Sequence, residues 1–95
     1  MECKKLIFSG HAVQRMFERG ISPANVREIV ESGEIISEYP DDIPYPSKLI
    51  LGYVGKRPIH LVLGYNEVEQ TCIAITVYEP SKDIWEDDFK EKRSR

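Results

Sequence analysis

The stretch "RPIHLVLGYNEVEQTCIAITVYEP", residues 57–80, contains two mainly apolar runs that are separated by a short polar segment. Both runs are rich in aliphatic, β-branched and aromatic residues, as is typical of strands in a half-buried sheet. The polar segment, residues 66–69, is short enough to turn the chain between two antiparallel neighbours. Residues 57–80 therefore predict a β-hairpin, and the rest of the chain must supply what covers it.

Side chains of a strand alternate between the two faces of its sheet, so each run assigns residues to a face. The first run divides into one face with Ile59, Leu61 and Leu63 and the opposite face with His60, Val62 and Gly64. The second run divides into a predicted core face with Ile73, Ile75 and Val77 and an outer face with Cys72, Ala74, Thr76 and Tyr78. We expect the helices to cover the core face and His60 to point away from them.

The segments before the hairpin predict a strand, two helices and two more strands. Helix signals are Ser9 and Ser22 as N-caps, Pro23 at a first helical position, and stops at Gly20 and Gly33. The expected core positions of these helices are Val13, Met16, Phe17, Val26, Ile29 and Val30. The strands are expected at residues 6–8, 34–39 and 48–54, with an irregular proline-rich loop over "YPDDIPYP", residues 39–46. The order of elements predicts an α+β domain of two layers, with an antiparallel meander at its end.

The 95 residues, 41% hydrophobic and 31% charged, predict one soluble globular domain over residues 1–95. No apolar run approaches the length of a membrane span, and residues 1–10 lack the pattern of a signal peptide. We therefore expect a cytoplasmic protein that does not associate with membranes. Cys3 and Cys72 have no spacing typical of a zinc ribbon or a redox pair, so reduced thiols are expected.

The formal net charge of -3 argues against binding nucleic acid by overall electrostatic attraction. The charge is uneven, however, because residues 1–30 are net positive and acidic residues concentrate in residues 31–42 and 67–88. Any anionic ligand would have to meet a local basic patch.

Such a patch is predicted on the first helix, where His11, Arg15 and Arg19 follow one another at intervals of four residues. This spacing places the three side chains on one stripe of the helix, away from the expected core positions. A solvated surface with an Arg15–Glu18 ion pair explains the stripe without any function. Alternatively, His11 lies in the first turn, where the helix dipole favours a phosphate group that Arg15 could also bind.

Four segments together resemble a known family: "HAVQRMFERGIS", "VREIVESGEII", "RPIHLVLGY" and "ITVYEPSKDIW". In this order and spacing, over about residues 6–93, they resemble the DUF4258 family of small bacterial and archaeal proteins. That family is placed near the RelE/ParE-like toxins, with a second affinity to the MqsR-type toxins. The resemblance implies a RelE-like fold, in which two helices are followed by a curved antiparallel sheet. It also implies a toxin of a type II toxin–antitoxin system that acts as a metal-independent endoribonuclease.

Cleavage of RNA without a metal needs a base for the 2′-OH, an acid for the leaving oxygen, and positive charge near the phosphate. The chain offers His11, Arg15, His60 and Tyr78 as candidate catalytic residues and Arg19, Arg57 and Lys82 as candidate substrate-binding residues. This interpretation requires the residues of the helix and those of the sheet to converge on one pocket. Its expected partners are free or ribosome-bound mRNA and a cognate antitoxin, and it leaves open whether the chain forms a homodimer.

Each candidate also has a structural explanation. His60 could be a buried histidine bonded to a neighbouring strand, Tyr78 an ordinary strand residue, and Trp85 a core anchor for the C-terminal segment. Arg57 and Lys82 could be solvated turn and loop residues. A metal site from His11, His60, Cys72 or Asp83 lacks the usual ligand spacing, so neither a metal nor another cofactor is expected. The competing functional hypothesis is a non-enzymatic module of the same fold that binds protein or nucleic acid.

Overall fold

A strand, two helices and four further strands form the chain in the computed structural model, which describes residues 3–94. Their bounds are β1 (Lys5–Phe8), α1 (Gly10–Arg19), α2 (Pro23–Ser32), β2 (Glu34–Tyr39), β3 (Ser47–Val54), β4 (Arg57–Asn66) and β5 (Thr71–Tyr78). The predicted α+β class and the predicted order of elements are therefore confirmed.

The five strands form one open sheet in the order β1-β5-β4-β3-β2. Short turns join β3 to β4 and β4 to β5, so these neighbours pair antiparallel, and β2 pairs antiparallel with β3. β1 pairs parallel with β5 at the opposite edge. The sheet is thus mostly antiparallel, as the hairpin of residues 57–80 predicts.

Both helices begin and end at the predicted residues. The Ser9 hydroxyl accepts from the Ala12 amide at 3.0 Å and donates to the Ile75 carbonyl oxygen at 2.8 Å, which ties the start of α1 to β5. α1 ends at Gly20, whose φ of 64° is a left-handed conformation that suits glycine. The start of α2 is closed by a capping box between Ser22 and Asn25.

The side of α1 that packs on the sheet differs from the prediction. Ala12 and Met16 are buried, whereas Val13 is 53% exposed and Phe17 is 89% exposed. The predicted core positions Val13 and Phe17 are therefore wrong, and Met16 is confirmed. The bond from Ser9 to β5 orients the helix, and the small side chain at Ala12 lets its backbone lie close to the strand. In α2, Val26 and Ile29 are buried and Val30 packs against the same core, as predicted.

A β-bulge changes which residues of β5 face the helices. Leu63 pairs with Ala74, but its neighbour Val62 pairs with Thr76, so Ile75 is an extra residue in β5. The extra residue interrupts the strict alternation of side chains on which the prediction was based.

As a result, the core beneath the helices contains Cys72, Ala74 and Val77 from β5, together with Ile59, Leu61 and Leu63 from β4. The prediction is correct for Val77 and for β4, but wrong for Cys72 and Ala74, which are fully buried in this core. Ile73 and Ile75 instead line a small cavity with Gly64 on the other face.

The face of the sheet without helices carries a second apolar cluster. It consists of Leu49, Leu51, Trp85 and Phe89, with Ile36 and Val62 packed against it. Trp85 is only 7% exposed, which confirms its prediction as a core anchor for the C-terminal segment. Residues 81–93 thus cover the sheet from the side opposite to the two helices.

Cys3 and Cys72 form a disulfide, with their Cα atoms 5.4 Å apart, so the prediction of reduced thiols is wrong. The sequence separation of 69 residues gave no signal, because the two cysteines meet only when the chain next to β1 lies beside β5. Stable disulfides are uncommon in reducing compartments, so this bond counts against the cytoplasmic location, which stays a prediction. No helix in the described part of the chain is long and apolar enough to cross a bilayer.

Candidate functional site

The polar centre of the helix-free face is His60, which is fully buried between the sheet and the C-terminal segment. Its Nδ1 lies 3.1 Å from the Tyr78 hydroxyl and its Nε2 lies 2.7 Å from the Phe89 carbonyl oxygen. The Trp85 ring meets the imidazole edge-on, with 4.5 Å between the ring centroids. His60 is therefore enclosed by β5 on one side and by residues 85 and 89 on the other.

The partners of His60 determine its tautomer. A carbonyl oxygen can only accept, so Nε2 carries the proton and donates to Phe89, while Nδ1 accepts from the Tyr78 hydroxyl. Burial lowers the pKa of His60, and the hydrogen bond to Phe89 opposes this shift only in part. The imidazole is thus held neutral with both nitrogens engaged, which leaves no free lone pair for a substrate.

Tyr78 lies on β5 directly opposite His60, with which it is paired across the two strands. Burial raises the pKa of its hydroxyl, and the nearby Tyr39 adds to the shift. A tyrosine with a raised pKa stays protonated at neutral pH, so it is not available as a base there and keeps the proton that it donates to His60.

The candidate residues of α1 lie in the other layer of the molecule. His11, Arg15 and Arg19 are exposed on a helix whose buried residues, Ala12 and Met16, pack on the opposite face of the sheet from His60. The sheet itself separates the two groups. The convergence on one pocket that the nuclease hypothesis requires is not found.

The guanidinium of Arg15 forms an ion pair with Glu18 at 3.2 Å, as the solvated-surface explanation predicts. Such an exposed pair contributes only a few tenths of a kcal/mol. Arg57 donates from its Nη2 to the carbonyl oxygen of Arg19 at 2.6 Å. Arg57 and Arg19 thus lie together. The guanidinium of Arg57, however, serves as hydrogen-bond donor to a backbone carbonyl at the C-terminal end of α1.

Lys82 belongs to the C-terminal segment, and its side chain is exposed. Its carbonyl oxygen accepts from the Nε of Arg93 at 2.6 Å, so the backbone of Lys82 helps to close that segment. Of the seven candidates, the structure joins His60 with Tyr78 and Arg19 with Arg57. Their proposed catalytic and binding roles stay predictions.

The open cleft on the helix-free face is acidic. It has a volume of about 640 Å³ and is lined by Glu38, Tyr39, Pro40, Asp41, Asp42 and Val62. Asp42 is held in place by the Ser47 hydroxyl, which donates to it at 2.7 Å. Carboxylates in this position repel a phosphate group, so this cleft is unsuited to an RNA backbone.

No group of three or more His, Cys, Asp or Glu side chains that could hold a metal ion occurs within residues 3–94. In the same described range, no buried side-chain nitrogen or oxygen lacks a hydrogen-bond partner. The buried polar side chains of the helix-free face thus find their hydrogen-bond partners within the protein.

Two contacts of the C-terminal segment were missed by the sequence analysis. The Phe89 carbonyl accepts from His60, and Lys90 pairs with Glu34 at 3.0 Å, a hydrogen-bonded ion pair that raises the pKa of Lys90. A backbone carbonyl leaves no residue-type signal, and a lysine within "DDFKEKR" looks like part of a solvated charged run. Only Trp85, the predicted core anchor, indicated that this segment packs on the sheet.

The fold and this site define a class of protein: a two-layer α+β domain whose sheet is covered by two helices on one face and by a C-terminal segment on the other. The chain belongs to the DUF4258 family, described as "Domain of unknown function (DUF4258)", which matches residues 8–79. No curated protein and no solved structure matches the chain. The family prediction is confirmed, while the wider RelE/ParE-like assignment stays a prediction.

Proposed function

We propose that this chain is a non-enzymatic module that binds a partner protein through the helix-free face of its sheet. One observation carries the proposal: this face already holds a polypeptide segment by two aromatic anchors, a backbone hydrogen bond and an ion pair. Apolar pockets combined with a few directed polar contacts are how grooves recognise peptides. The net charge of -3 is also compatible with a protein partner rather than RNA.

The state of His60 supports the same proposal. A general base needs a free nitrogen within reach of the substrate, whereas both nitrogens of His60 are bonded within the protein. Arg15, the cationic candidate for catalysis, lies beyond the sheet, on α1. His60 is better suited to holding a segment in place than to chemistry.

The endoribonuclease hypothesis, with its mRNA substrate, its antitoxin and its cytoplasmic toxin role, remains a second proposal. One observation favours it, because His11 and Arg15 are both exposed on the first two turns of α1, where a phosphate could approach them. In that case the site would lie on α1 alone, without His60 and Tyr78.

Induced expression in a bacterial host separates the two proposals. We expect growth to continue when the chain is expressed, and to be the same for the variants Arg15→Ala and His60→Ala. Growth arrest by the parent chain that is abolished by Arg15→Ala, and rescued by the adjacent open reading frame, would refute the binding module and support the toxin.

A further inference from the structure

The C-terminal segment, residues 81–93, is a closed unit that is held together mainly by its own contacts. The backbone amide of Arg93 donates to the Ile84 carbonyl at 2.8 Å, and the Arg93 side chain donates to the Lys82 carbonyl at 2.6 Å and to Asp87 at 3.0 Å. Glu86 and Glu91 are joined by a further backbone bond of 2.8 Å. These bonds close the segment on itself, apart from its contacts with the sheet.

Three neighbouring features attach this unit to the sheet. Trp85 and Phe89, four residues apart, are 7% and 9% exposed and insert into the apolar cluster with Leu49 and Leu51. The Phe89 carbonyl receives the hydrogen bond from His60. Directly after it, Lys90 meets Glu34 of β2. Two aromatic anchors around a central hydrogen bond, with a charged pair at the rim, resemble the arrangement of binding hot spots in protein interfaces.

The segment binds in an unfavourable conformation. Phe89 has a φ of 60°, a left-handed value that residues other than glycine rarely adopt. In the sequence, the segment begins just after Pro80, which follows the end of β5. It therefore lies outside residues 8–79, the part of the chain that matches the family. A partner that fills the same pockets without this backbone strain would have an advantage over the segment.

We propose that residues 81–93 occupy, within the same chain, a groove that binds a peptide segment of a partner protein. The partner is a peptide with two aromatic residues four positions apart and a lysine directly after the second. Its carbonyl at the second aromatic residue accepts from His60, and its lysine pairs with Glu34. The proposal rests on the proposed function and names the site and the partner's chemistry.

The test uses a labelled synthetic peptide with the sequence of residues 81–94 and the full chain carrying Trp85→Ala and Phe89→Ala. These substitutions vacate the two pockets and leave the groove otherwise intact. We expect the peptide to bind this variant at least about tenfold more tightly than the parent chain, where the tethered segment competes at a high effective concentration. The matched control is the same peptide with its Trp and Phe replaced by alanine, which we expect not to bind.

A second measurement is decisive if the double variant does not fold. A protease site inserted between Pro80 and Ser81 is cut in the otherwise unchanged folded chain. Exchange of the released segment for the labelled peptide is then followed by the fluorescence anisotropy of the peptide's label. Exchange with the labelled peptide supports the proposal, and its absence overturns it.

Size-exclusion chromatography with light scattering tests whether the groove is occupied by the segment of a second copy of the chain instead of by a separate partner. A stable dimer of intact chains that exchange their own segments would show that the groove serves a second copy, and would overturn the proposed separate partner. Failure of the peptide to bind a folded, vacated groove overturns this inference alone. The proposed function fails separately, through growth arrest that depends on Arg15.

Discussion

His60 donates from its Nε2 to the carbonyl oxygen of Phe89 at 2.7 Å, and this bond joins the sheet to the C-terminal segment. Removing the imidazole leaves a buried carbonyl and the Tyr78 hydroxyl without their partner. We expect His60→Ala to lower the free energy of unfolding by about 2–4 kcal/mol, from lost hydrogen bonds and a cavity. Urea denaturation measures this change.

Tyr78→Phe is the matched control for that measurement, since it removes only the hydroxyl that donates to Nδ1. We expect a smaller loss of about 1 kcal/mol, because the bond to Phe89 remains. If both variants were as stable as the parent chain, His60 would not hold the segment.

The stability of the fold should fall as the pH falls below the ordinary pKa of histidine, about 6.5. Burial lowers the pKa of His60 in the folded state, so the folded chain binds fewer protons than the unfolded chain in this range. The stabilisation is therefore complete above about pH 6.5 and is lost progressively below it. Unfolding midpoints in urea between about pH 7.5 and 5.5, above the main carboxylate range, measure the slope.

His60→Gln provides the comparison, because an amide can donate and accept without titrating in this range. We expect the slope to be much reduced in this variant. The chain contains only one other histidine, the exposed His11, so His11→Gln should retain the slope of the parent chain. An unchanged slope in His60→Gln would argue that other groups cause the acid sensitivity.

Reduction of the Cys3–Cys72 disulfide should destabilise the chain. The bond closes a loop with a sequence separation of 69 residues and ties the chain beside β1 to β5. Loop-closure entropy gives an upper value of about 4 kcal/mol, and typical disulfides contribute about 2–4 kcal/mol. Thermal unfolding with and without reductant measures the effect, and Cys3→Ser should abolish the difference. A thiol count of two in the native, unreduced protein would contradict the bond.

The packing of α1 predicts opposite results at two neighbouring positions. Met16 is 5% exposed and Phe17 is 89% exposed. We expect Met16→Ala to cost about 2–5 kcal/mol of unfolding free energy and Phe17→Ala to stay within about 0.5 kcal/mol of the parent chain. A large loss for Phe17→Ala would show that this side chain is buried, as its position in the apolar sequence pattern first indicated.

The close packing of α2 on β3 is tested at Gly52. A Cβ atom added there would lie 2.6 Å from a side-chain carbon of Ile29, which is itself buried. We expect Gly52→Ala to destabilise the chain by about 1–3 kcal/mol through this overlap. The control is Gly10→Ala, since an added Cβ at Gly10 meets no atom within 4 Å. Equal stability of the two variants would contradict the packing of Ile29 on β3.

The fold could be predicted from the sequence where local rules act alone. The caps at Ser9 and Ser22 and the stop at Gly20 follow from backbone chemistry within a few residues, and all were found. The faces of β5 could not be predicted beyond the bulge, because the extra residue Ile75 has no signature in "CIAITVY". A single inserted residue reverses the faces of every side chain on one side of it.

The sequence predicts the orientation of single residues of the site, but not how the residues are brought together. Strand alternation predicted correctly that His60 points away from the helices, but its pairing with Tyr78 depends on the bulge at Ile75, without which the turn register would pair His60 with Val77. The enclosure of His60 by residues 85 and 89 was not predictable, because it depends on how an irregular segment folds back over the sheet. The same tertiary arrangement places the sheet between His60 and the cationic stripe of α1.

The most direct test of the binding module is to incubate the purified chain with total RNA in EDTA and to compare it with the Arg15→Ala, His60→Ala double variant. The account predicts that both leave the RNA intact, since the buried, fully bonded His60 and the exposed Arg15 lie on opposite faces of the sheet. Specific fragments produced by the parent chain and absent with the double variant would contradict it.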